Sequence, residues 1–547
     1  MPCRITPLGV ASVIVFVYLA LPDTSRAQTT ASHSPADDFR TAERCANCHN
    51  KLKTPKGEDV SIGLQWSASI MANSARDPYW QGSVRRETVD HPESSASIQN
   101  VCARCHMPVQ SLVDHSQNHQ TEIFSRFPLR TDHPQDAAAA DGVSCTVCHQ
   151  IEAAGLGTPA SYSGNFIVAA PGTNPRPIYG PYPLDSENIN KVHVMATGYS
   201  LVQAAHVHDA ALCGSCHTLY TTTLGPGGKP IGQLPEQMPY LEWLHSDYRD
   251  KQTCQQCHMP AAGQPVAVAS LLGKAREDFR LHTFVGANFL MESMLNSHRD
   301  DLAVVAQRSD LAAAVEQITS FLQSQSARIN LGPAVVTATA ISFPVRVENL
   351  TGHKLPTAYP SRRAWLHVVL TAVDGRVVFE SGKLNADGSI AGNVNDTDPK
   401  SFSPHYPRIT QPDQVEIFEP ILGDSQGNVT TGLISATQYL KDNRILPAGF
   451  DKQTASLDIA VRGEAAADPA FTAGSSTTQY AIATDGAVGP FHLSVELLYQ
   501  PIGYRWAHNL ATYQAAEPQR FVQYYEQSSG KSALVLAHAN TVIEMAP

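Results

Sequence analysis

Hydrophobic and polar residues follow three successive patterns along the chain. Up to residue 297, short apolar stretches alternate with Pro- and Gly-rich segments such as PGTNPRPIYGPYP (171–183) and LGPGGKP (224–230), which predict loops. Short helices are predicted within QWSASIMANSARDPYW (65–80) and PYLEWLHSDYRD (239–250). We therefore expect a mainly helical, loop-rich region first.

The pattern becomes regularly helical between residues 298 and 330. Leu311, Val315, Ile318 and Leu322 lie three or four positions apart and therefore share one face of an amphipathic helix. This segment is predicted to be a connector that leaves the first region.

The last part of the chain has the residues of β-strands. VVTATAISFPVRVENL (335–350) is rich in β-branched residues, and WLHVVLTAV and RVVFESG flank Asp374-Gly375, a strong hairpin signal. TASLDIAVRG (454–463) and FHLSVELLYQ (491–500) predict further strands. Several short strands separated by turns favour a β-sandwich of immunoglobulin-like size.

The N-terminus has the pattern of a secretory signal sequence. Arg4 precedes the apolar run LGVASVIVFVYLAL (8–21), and Ser25-Arg26-Ala27 resembles a small-x-small cleavage site. The run is shorter than the ~20 residues that span a membrane, so cleavage is favoured over a membrane anchor. No other run is long enough for a transmembrane helix.

These patterns predict an α+β multidomain fold, in which a loop-rich, mainly helical domain precedes a C-terminal immunoglobulin-like β-sandwich. The predicted segments are a signal peptide (1–27), a flexible linker (28–40), the helical domain (41–297), the helical connector (298–330) and the β-sandwich domain with a C-terminal extension (331–547).

The cysteines introduce the chemistry. Ten of the 11 cysteines belong to five C-x-x-C-H strings, and only Cys3 lies outside them. This string attaches c-type haem, because its two thiols bond to the haem vinyl groups and its histidine reaches the iron. Zinc sites and redox-active thiol pairs also use CxxC, but neither needs a histidine directly after it. The strings, called sites 1 to 5, are Cys45-Cys48-His49, Cys102-Cys105-His106, Cys145-Cys148-His149, Cys213-Cys216-His217 and Cys254-Cys257-His258.

Five covalently attached haem c groups are therefore predicted, each with the string histidine as its proximal iron ligand. Haem is attached to such strings outside the bacterial inner membrane, so a periplasmic, secreted or cell-surface location agrees with the signal sequence. The predicted function is electron transfer by an exported pentahaem cytochrome between redox partners.

Charge limits the possible partners. The net charge is −11, and loss of residues 1–27, which contain Arg4, Arg26 and Asp23, makes it −12. An acidic protein of this kind is not expected to bind nucleic acid or an anionic membrane. A redox protein with a basic docking patch is compatible with it.

The ligand opposite each proximal histidine decides between electron transfer and catalysis. A second histidine or a methionine closes the iron, whereas an open position allows chemistry. His206 and His208 precede site 4 and would point to different sides of a helix. His208 is the favoured candidate of the two, with surface exposure as the alternative. His193, in KVHVMATGY, is a further candidate of similar weight.

The chain resembles secreted multihaem cytochromes c of the cytochrome c-554-like class. Beyond C-x-x-C-H, the resemblance is carried by SARDPYW, CARCHMPV, GVSCTVCHQI, LCGSCHTLY, CQQCHMP, HTFVGAN, TGHKLPTAYPSRRAW and YLKDNRILPAGF. It covers most of residues 41–460. The resemblance implies electron transfer and supplies no substrate.

The resemblance also implies three iron ligands. His282 matches an H-x-F-x-G-x-N element that supplies a distal histidine, and a core or helix-capping histidine is the alternative. His353 matches TGH-x-x-PT, which presents its histidine to a haem, and a loop histidine bonded to the backbone is the alternative. Met71 stands where W-x-x-S-x-H-A elements have histidine, and a core methionine is the alternative. Arg362 and Arg363 could meet haem propionates or be solvated.

The alternative function is that of a multihaem oxidoreductase, a reductase of nitrogen or sulfur oxyanions with one open haem. The pentahaem ammonia-forming nitrite reductases carry CxxCK at their catalytic haem. All five strings here end in histidine, which favours electron transfer. A docking role for the β-domain is compatible with electron transfer.

Overall fold

The computed structural model describes Met1, residues 38–130, His133 and residues 136–544. Apart from Met1, the predicted signal peptide lies outside the described residues, and the predicted linker is described only over residues 38–40. Within the described ranges, no helix is long and apolar enough to cross a membrane.

The first part of the chain consists of short helices joined by loops and small two-stranded ladders. The helices are α1 (Ala42–His49), α2 (Ile62–Ser67), α3 (Pro78–Asp90), α4 (Ser95–His106), α5 (Pro108–Ser116), α6 (Ala137–Ala140), α7 (Cys145–Cys148), α8 (Glu187–Thr197), α9 (Ala210–Gly214), α10 (Pro239–Leu244), α11 (Cys254–His258), α12 (Phe289–Ser297) and α13 (Arg308–Gln325). The strands are β1 (Arg176–Gly180), β2 (Tyr199–Gln203), β3 (Leu219–Leu224), β4 (Pro230–Gln237), β5 (Val266–Ala267) and β6 (Ala275–Arg276).

The helix predicted over residues 65–80 is wrong in its middle. Helix α2 ends at Ser67, and α3 begins only at Pro78. The Asp77 carboxylate caps α3, because it accepts hydrogen bonds from two backbone N–H groups of the first turn at 2.8 and 3.1 Å. Between the helices, the Asn73 side chain donates to two carbonyls and holds a turn that a continuous helix would remove.

The predicted amphipathic helix is α13. Leu311, Ile318 and Leu322 are buried along one face of this helix, and Val315, predicted on the same face, is half-buried. The helix begins and ends inside the predicted range of 298–330.

The rest of the chain is dominated by β-structure. Its strands are β7 (Ala327–Leu331), β8 (Val335–Val336), β9 (Ala340–Asn349), β10 (Arg363–Thr371), β11 (Val377–Ser381), β12 (Arg408–Ile409), β13 (Ile417–Phe418), β14 (Pro420–Asp424), β15 (Val429–Thr430), β16 (Ala436–Asp442), β17 (Phe471–Thr472), β18 (Ser475–Ala483), β19 (Phe491–Gln500) and β20 (Leu534–Ile543). Helices α14 (Val394–Thr397), α15 (Tyr504–His508) and α16 (Ala516–Ser528) lie between them.

Two large sheets share one apolar core. One has the order β11-β10-β19-β20 with β13 beside β10, and the other has the order β12-β18-β9-β7 with β17 and β8 at its sides. Alternate residues of β9 and β10 are buried in the same core, among them Phe343, Val345, Leu366 and Val368. The fold is therefore a mixture of a helical, loop-rich part and a sheet-rich part.

The strand predictions are confirmed at some positions and wrong at another. The predicted hairpin joins β10 to β11 through Gly375, whose φ of 84° favours glycine. Residues 491–500 form β19 as predicted. Residues 454–463, however, form a turn-rich loop, in which Ile459 and Val461 pack in an apolar cluster without pairing in a ladder. The apolar side chains of this segment are buried in a cluster, but the segment does not belong to a sheet.

Candidate haem sites

The five C-x-x-C-H strings converge on one cavity. This cavity has a volume of about 2510 Å³, and all ten string cysteines and all five string histidines line it. Ordinary ligand pockets have volumes of roughly 300–1,000 Å³, so the space suits several large groups. The ten thiols are free, and no disulfide consumes them.

Local helix geometry explains how each string presents its ligands. The two cysteines are three positions apart on a helical turn, which places both thiols on one side. In α1, α4 and α11 the histidine is the last residue of the helix, so its ring leaves the same turn as the thiols.

The sites are close neighbours of one another. In three pairs, the thiols of different sites lie close enough to shift each other's pKa, and burial raises the pKa of Cys148 to about 12 with a further contribution from the nearby Cys216 thiol. The neighbouring thiols are Cys45 with Cys145, Cys105 with Cys216, and Cys213 with Cys254. Site 1 therefore lies beside site 3, and site 3 lies beside site 4 through Cys148 and Cys216. Sites 2 and 5 both lie beside site 4.

Four of the string histidines make the same contact through the ring nitrogen Nδ1. Their Nδ1 atoms lie within hydrogen-bond distance of a backbone carbonyl, which assigns the proton to Nδ1 and leaves Nε2 for a metal. The carbonyls are those of Val268 for His49 (2.7 Å), Ser74 for His106 (3.0 Å), Tyr179 for His149 (2.6 Å) and Val285 for His258 (2.6 Å). Burial lowers the pKa of His106 and of His217 to about 4, so both rings are neutral at pH 7, as a metal ligand must be.

Two of the candidate distal histidines face a proximal histidine. The rings of His258 and His353 are 6.3 Å apart with a 10° angle between their planes, and those of His149 and His282 are 6.5 Å apart at 22°. Two metal–nitrogen bonds of about 2 Å each would fill about 4 Å of these separations, and the ring radii fill the rest. His353 and His282 also direct Nδ1 to a backbone carbonyl, at 3.0 and 3.1 Å.

His193 lies near site 1. Its Nδ1 donates to the carbonyl of Tyr199 at 2.8 Å, the same contact that the proximal histidines make. The pKa of His49 is lowered mainly by burial, and also by the His149 and His193 rings nearby. Because His149 already faces His282, His193 is the ring available to His49.

His208 and Met71 line the cavity without a facing histidine ring among the described residues. The His208 side chain is exposed, while Nε2 of the neighbouring His206 is bonded to the carbonyl of Ile151 at 2.8 Å. Met71 is half-buried in the cavity wall, unlike the core methionines Met291 and Met294, which are 0% and 2% exposed.

Sites 1, 2 and 4 lack the facing rings of sites 3 and 5. In the part of the chain that the structure describes, none of His49, His106 and His217 has a histidine ring opposite it at that spacing. His49 has His193 nearby, whereas the surroundings of His106 and His217 differ. The His106 ring instead stacks on Trp80, with ring centres 4.4 Å apart and a 4° angle. The sequence signal for Trp80 was the SARDPYW string, which does not show a stacking role by itself.

Two buried carboxylates lie beside site 2. Glu236 and Glu87 both line the cavity, and their charges add to burial in raising the pKa of Cys102. Burial raises the pKa of Glu236 to about 7, although its carboxylate accepts hydrogen bonds from Thr221 and Gln237. The Glu236 carboxyl group in this part of the cavity can therefore hold or release a proton near neutral pH.

The two arginines after His353 have different surroundings. Arg362 lines the cavity and donates to the carbonyl of Thr357 at 3.0 Å. Arg363 is buried in the sheet, where it contacts Asp396 and Gln500 at 2.8 Å each. The expectation of a propionate contact is therefore wrong for Arg363, because these partners already occupy its guanidinium group.

Comparisons with known proteins support the fold. No family model and no curated protein matches the chain. Among solved structures, the chain is similar to a penta-heme cytochrome c552 from Thermochromatium tepidum, with a TM-score of 0.50 and 16% identity over 93% of this chain and 100% of that one. At this identity the likeness concerns the fold alone.

Proposed function

We propose that the chain is an exported c-type cytochrome that holds five covalent haems and transfers electrons through them. The observation that carries this proposal is that five C-x-x-C-H strings line one cavity. Thiols of neighbouring strings are close enough to shift each other's pKa. The similar fold belongs to a penta-heme cytochrome. When bound, haem c supplies reversible one-electron chemistry, and its axial ligands tune its potential.

The chain's own residues would attach and orient these groups. The ten cysteines would form the thioether bonds, and His49, His106, His149, His217 and His258 would bind the irons. The proposed distal ligands are His193 at site 1, His282 at site 3 and His353 at site 5, because each ring is neutral and has its Nδ1 directed to a carbonyl. His208 and Met71 are proposed ligands for the remaining sites.

The sheet-rich part would contribute to the haem region. We propose that the two large sheets form an immunoglobulin-like sandwich. It would begin with β7 (Ala327–Leu331), so it starts slightly before the predicted boundary at residue 331 and overlaps the end of the connector (298–330), which joins it to the haem domain (41–297). His353 gives this domain a role at site 5. After removal of residues 1–27, the protein would act in the periplasm or at the cell surface with redox partner proteins.

A redox titration of the purified holoprotein tests this function, with EPR of the oxidised form. Electron transfer through closed sites predicts mainly low-spin ferric signals and reversible reduction of all haems. A protein whose haems were mostly high-spin, or were not reversibly reduced, would contradict the proposal.

Sites 2 and 4 favour a second function, a reductase of nitrogen or sulfur oxyanions at one open haem. No described histidine faces His106 or His217, and Glu236 supplies a proton-holding group beside site 2. A high-spin ferric signal that changes when nitrite, hydroxylamine or sulfite is added would support this function. A spectrum unaffected by all three would exclude it.

A further inference from the structure

The loop that carries His353 is held by hydrogen bonds to one segment of the helical part. We call residues 242–248, the end of α10 and the turn after it, the clamp segment. The Tyr248 hydroxyl donates to the carbonyl of Leu350 at 2.7 Å, and the Ser246 hydroxyl donates to the carbonyl of Gly352 at 3.0 Å. Both contacts fix the chain just before His353.

Gly352 allows the clamp segment to approach this closely. A Cβ atom at this position would lie 3.2 Å from the Cβ of Tyr248 and 3.3 Å from Cδ1 of Trp243. These distances are tight for real side chains, so glycine suits the position because the Tyr248 and Trp243 side chains lie directly against its backbone.

Glu242 fixes the chain just after His353. One oxygen of its carboxylate accepts hydrogen bonds from the backbone N–H of Lys354, at 3.1 Å, and from the hydroxyl of Thr357. The other oxygen has no hydrogen-bond partner in the described residues, and it forms an ion pair with Arg444 at 3.1 Å. The Glu242 side chain is fully buried, at 0% exposure, so these contacts are what compensate its charge.

The partners of Glu242 are themselves held in place. Asp442 binds Lys354 at 2.6 Å and Arg444 at 2.7 Å, and all of these charged side chains are buried. Such a network has one favourable arrangement, since moving any member leaves a buried charge without a partner. The network therefore fixes the backbone around His353 on the sheet side as well.

The His353 ring has little remaining freedom. The backbone carbonyl of His353 accepts hydrogen bonds from the side chains of Asn349 and Thr351, at 2.8 Å each. Nδ1 of the ring lies 3.0 Å from the backbone carbonyl of Lys354. The ring plane is within 10° of that of His258. A shift of the backbone at Lys354 would change this angle directly.

We propose that Glu242 is a positioning residue that sets the orientation of His353 opposite His258. The inference rests on the proposed role of His353 as an axial ligand at site 5. The relative orientation of two axial imidazoles determines the shape of a low-spin ferric EPR signal, and ligand orientation also tunes the potential. Glu242 thus couples an ion-pair network in the sheet-rich part to the properties of one haem.

The test uses the full-length holoprotein with Glu242→Gln, compared with His353→Ala as a reference. The amide oxygen of the new side chain can still accept from Lys354, but its N–H₂ group then faces Arg444, which disturbs the network. The matched control is Glu416→Gln, because Glu416 is equally buried, at 0% exposure, and binds His405 away from the cavity. Haem content, EPR of the oxidised form and a redox titration are measured for each variant.

We expect E242Q to keep its full haem content and to alter the same low-spin signal and potential that H353A alters, with the other signals unchanged. E416Q should leave all signals unchanged. The inference fails if E242Q leaves the H353A-sensitive signal unaltered, or if E416Q alters it equally. If H353A changes no signal, the ligation itself is wrong and the inference falls with it. Should E242Q not accumulate, Thr357→Val removes one contact to the same carboxylate and must alter the same signal.

Discussion

At the scale of single residues, seven of the proposed iron ligands share one hydrogen-bond pattern. These histidines direct Nδ1 to a backbone carbonyl, which leaves Nε2 for a metal: His49, His106, His149, His193, His258, His282 and His353. His206 has the opposite arrangement, with Nε2 bonded to a carbonyl. The pattern supports a ligand role for these seven rings, whereas the proposed ligands His208 and His217 do not make this contact within the described residues.

The His282 prediction follows from this pattern. His282→Ala should convert one haem from low-spin to high-spin in the oxidised EPR spectrum, because it removes the ring 6.5 Å from His149. Haem content should not change, since both thiols of site 3 remain. His206→Gln is the matched control and should keep every signal. A low-spin spectrum in the H282A protein would remove His282 from the iron.

Met71 gives a different expectation. A thioether ligand raises the potential of a haem relative to a second imidazole. Met71→Leu keeps the volume of the side chain but not the sulfur, so we expect the highest of the measured potentials to fall while the haem content stays the same. Met291→Leu, within the core, should leave all potentials in place. Unchanged potentials in the M71L protein would show that Met71 only packs in the cavity wall.

Sequence reasoning works at this scale where the chemistry is local. Each C-x-x-C-H string contains both thiols and the proximal ligand within one turn, so these residues could be named directly. His282 and His353 could be named only through resemblance, and their partners His149 and His258 lie far from them in sequence. Glu242 could not be found, because its role depends on Lys354 and Arg444 from another part of the chain.

At the scale of helices and strands, the predictions are confirmed where the hydrophobic pattern of a segment is matched by neighbouring strands that pair with it. Strand β19 alternates in burial and pairs on both sides with β10 and β20, so its limits match the sequence pattern. Residues 454–463 have a similar composition but pair with a strand only at Arg462, in a single bridge to Asp442 at the end of β16, and they form a loop. The helix prediction for residues 65–80 was wrong because hydrophobic periodicity does not reveal side-chain-to-backbone hydrogen bonds. Here the bonds of Asp77 and Asn73 end one helix and begin another.

A buried ion-pair cluster joins the segments that precede β12, β13 and β17, and it has a predictable pH dependence. His405 lies between Glu416 at 2.6 Å and Asp468 at 2.9 Å. Burial opposes the charged ring, but the two carboxylates outweigh it and raise the pKa of His405. The contribution to stability is therefore full below the ordinary histidine pKa of about 6.5 and is lost as the pH rises through the raised value.

Thermal unfolding should show this dependence. We expect a higher unfolding midpoint at about pH 6 than at about pH 9, and a smaller difference in His405→Gln, which cannot take up the proton. The H405Q protein should also be less stable at the lower pH, because Glu416 and Asp468 stay buried. An equal pH dependence in both proteins would show that other groups cause it. The EPR signals should be unaffected, since this cluster does not line the cavity.

At the scale of the whole molecule, the described residues of the helical and sheet-rich parts pack as one unit. Helix α16 packs on α3 through Arg85 and Glu517, whose two contacts are 2.8 and 2.9 Å long. The sequence predicted two domains and a connector, but it could not show that residues from the second part line the cavity of the first. His353 and Arg362 do so.

This packing gives the five sites one shared environment. Sites 2 and 5 both adjoin site 4, so the series of attachment sites branches there and does not follow the order of the sequence. The order in space depends on how the short helices pack around the cavity, which no local pattern in the sequence encodes.

The most direct test of the account is the mass of the denatured holoprotein, measured together with its haem-to-protein ratio. Covalent attachment at all five strings predicts a mass greater than that of the mature chain by five haems, with the haem retained after denaturation. Cys213→Ala combined with Cys216→Ala should lower the count by one. A native protein with two or three haems, or with zinc at some of the strings, would contradict the central claim.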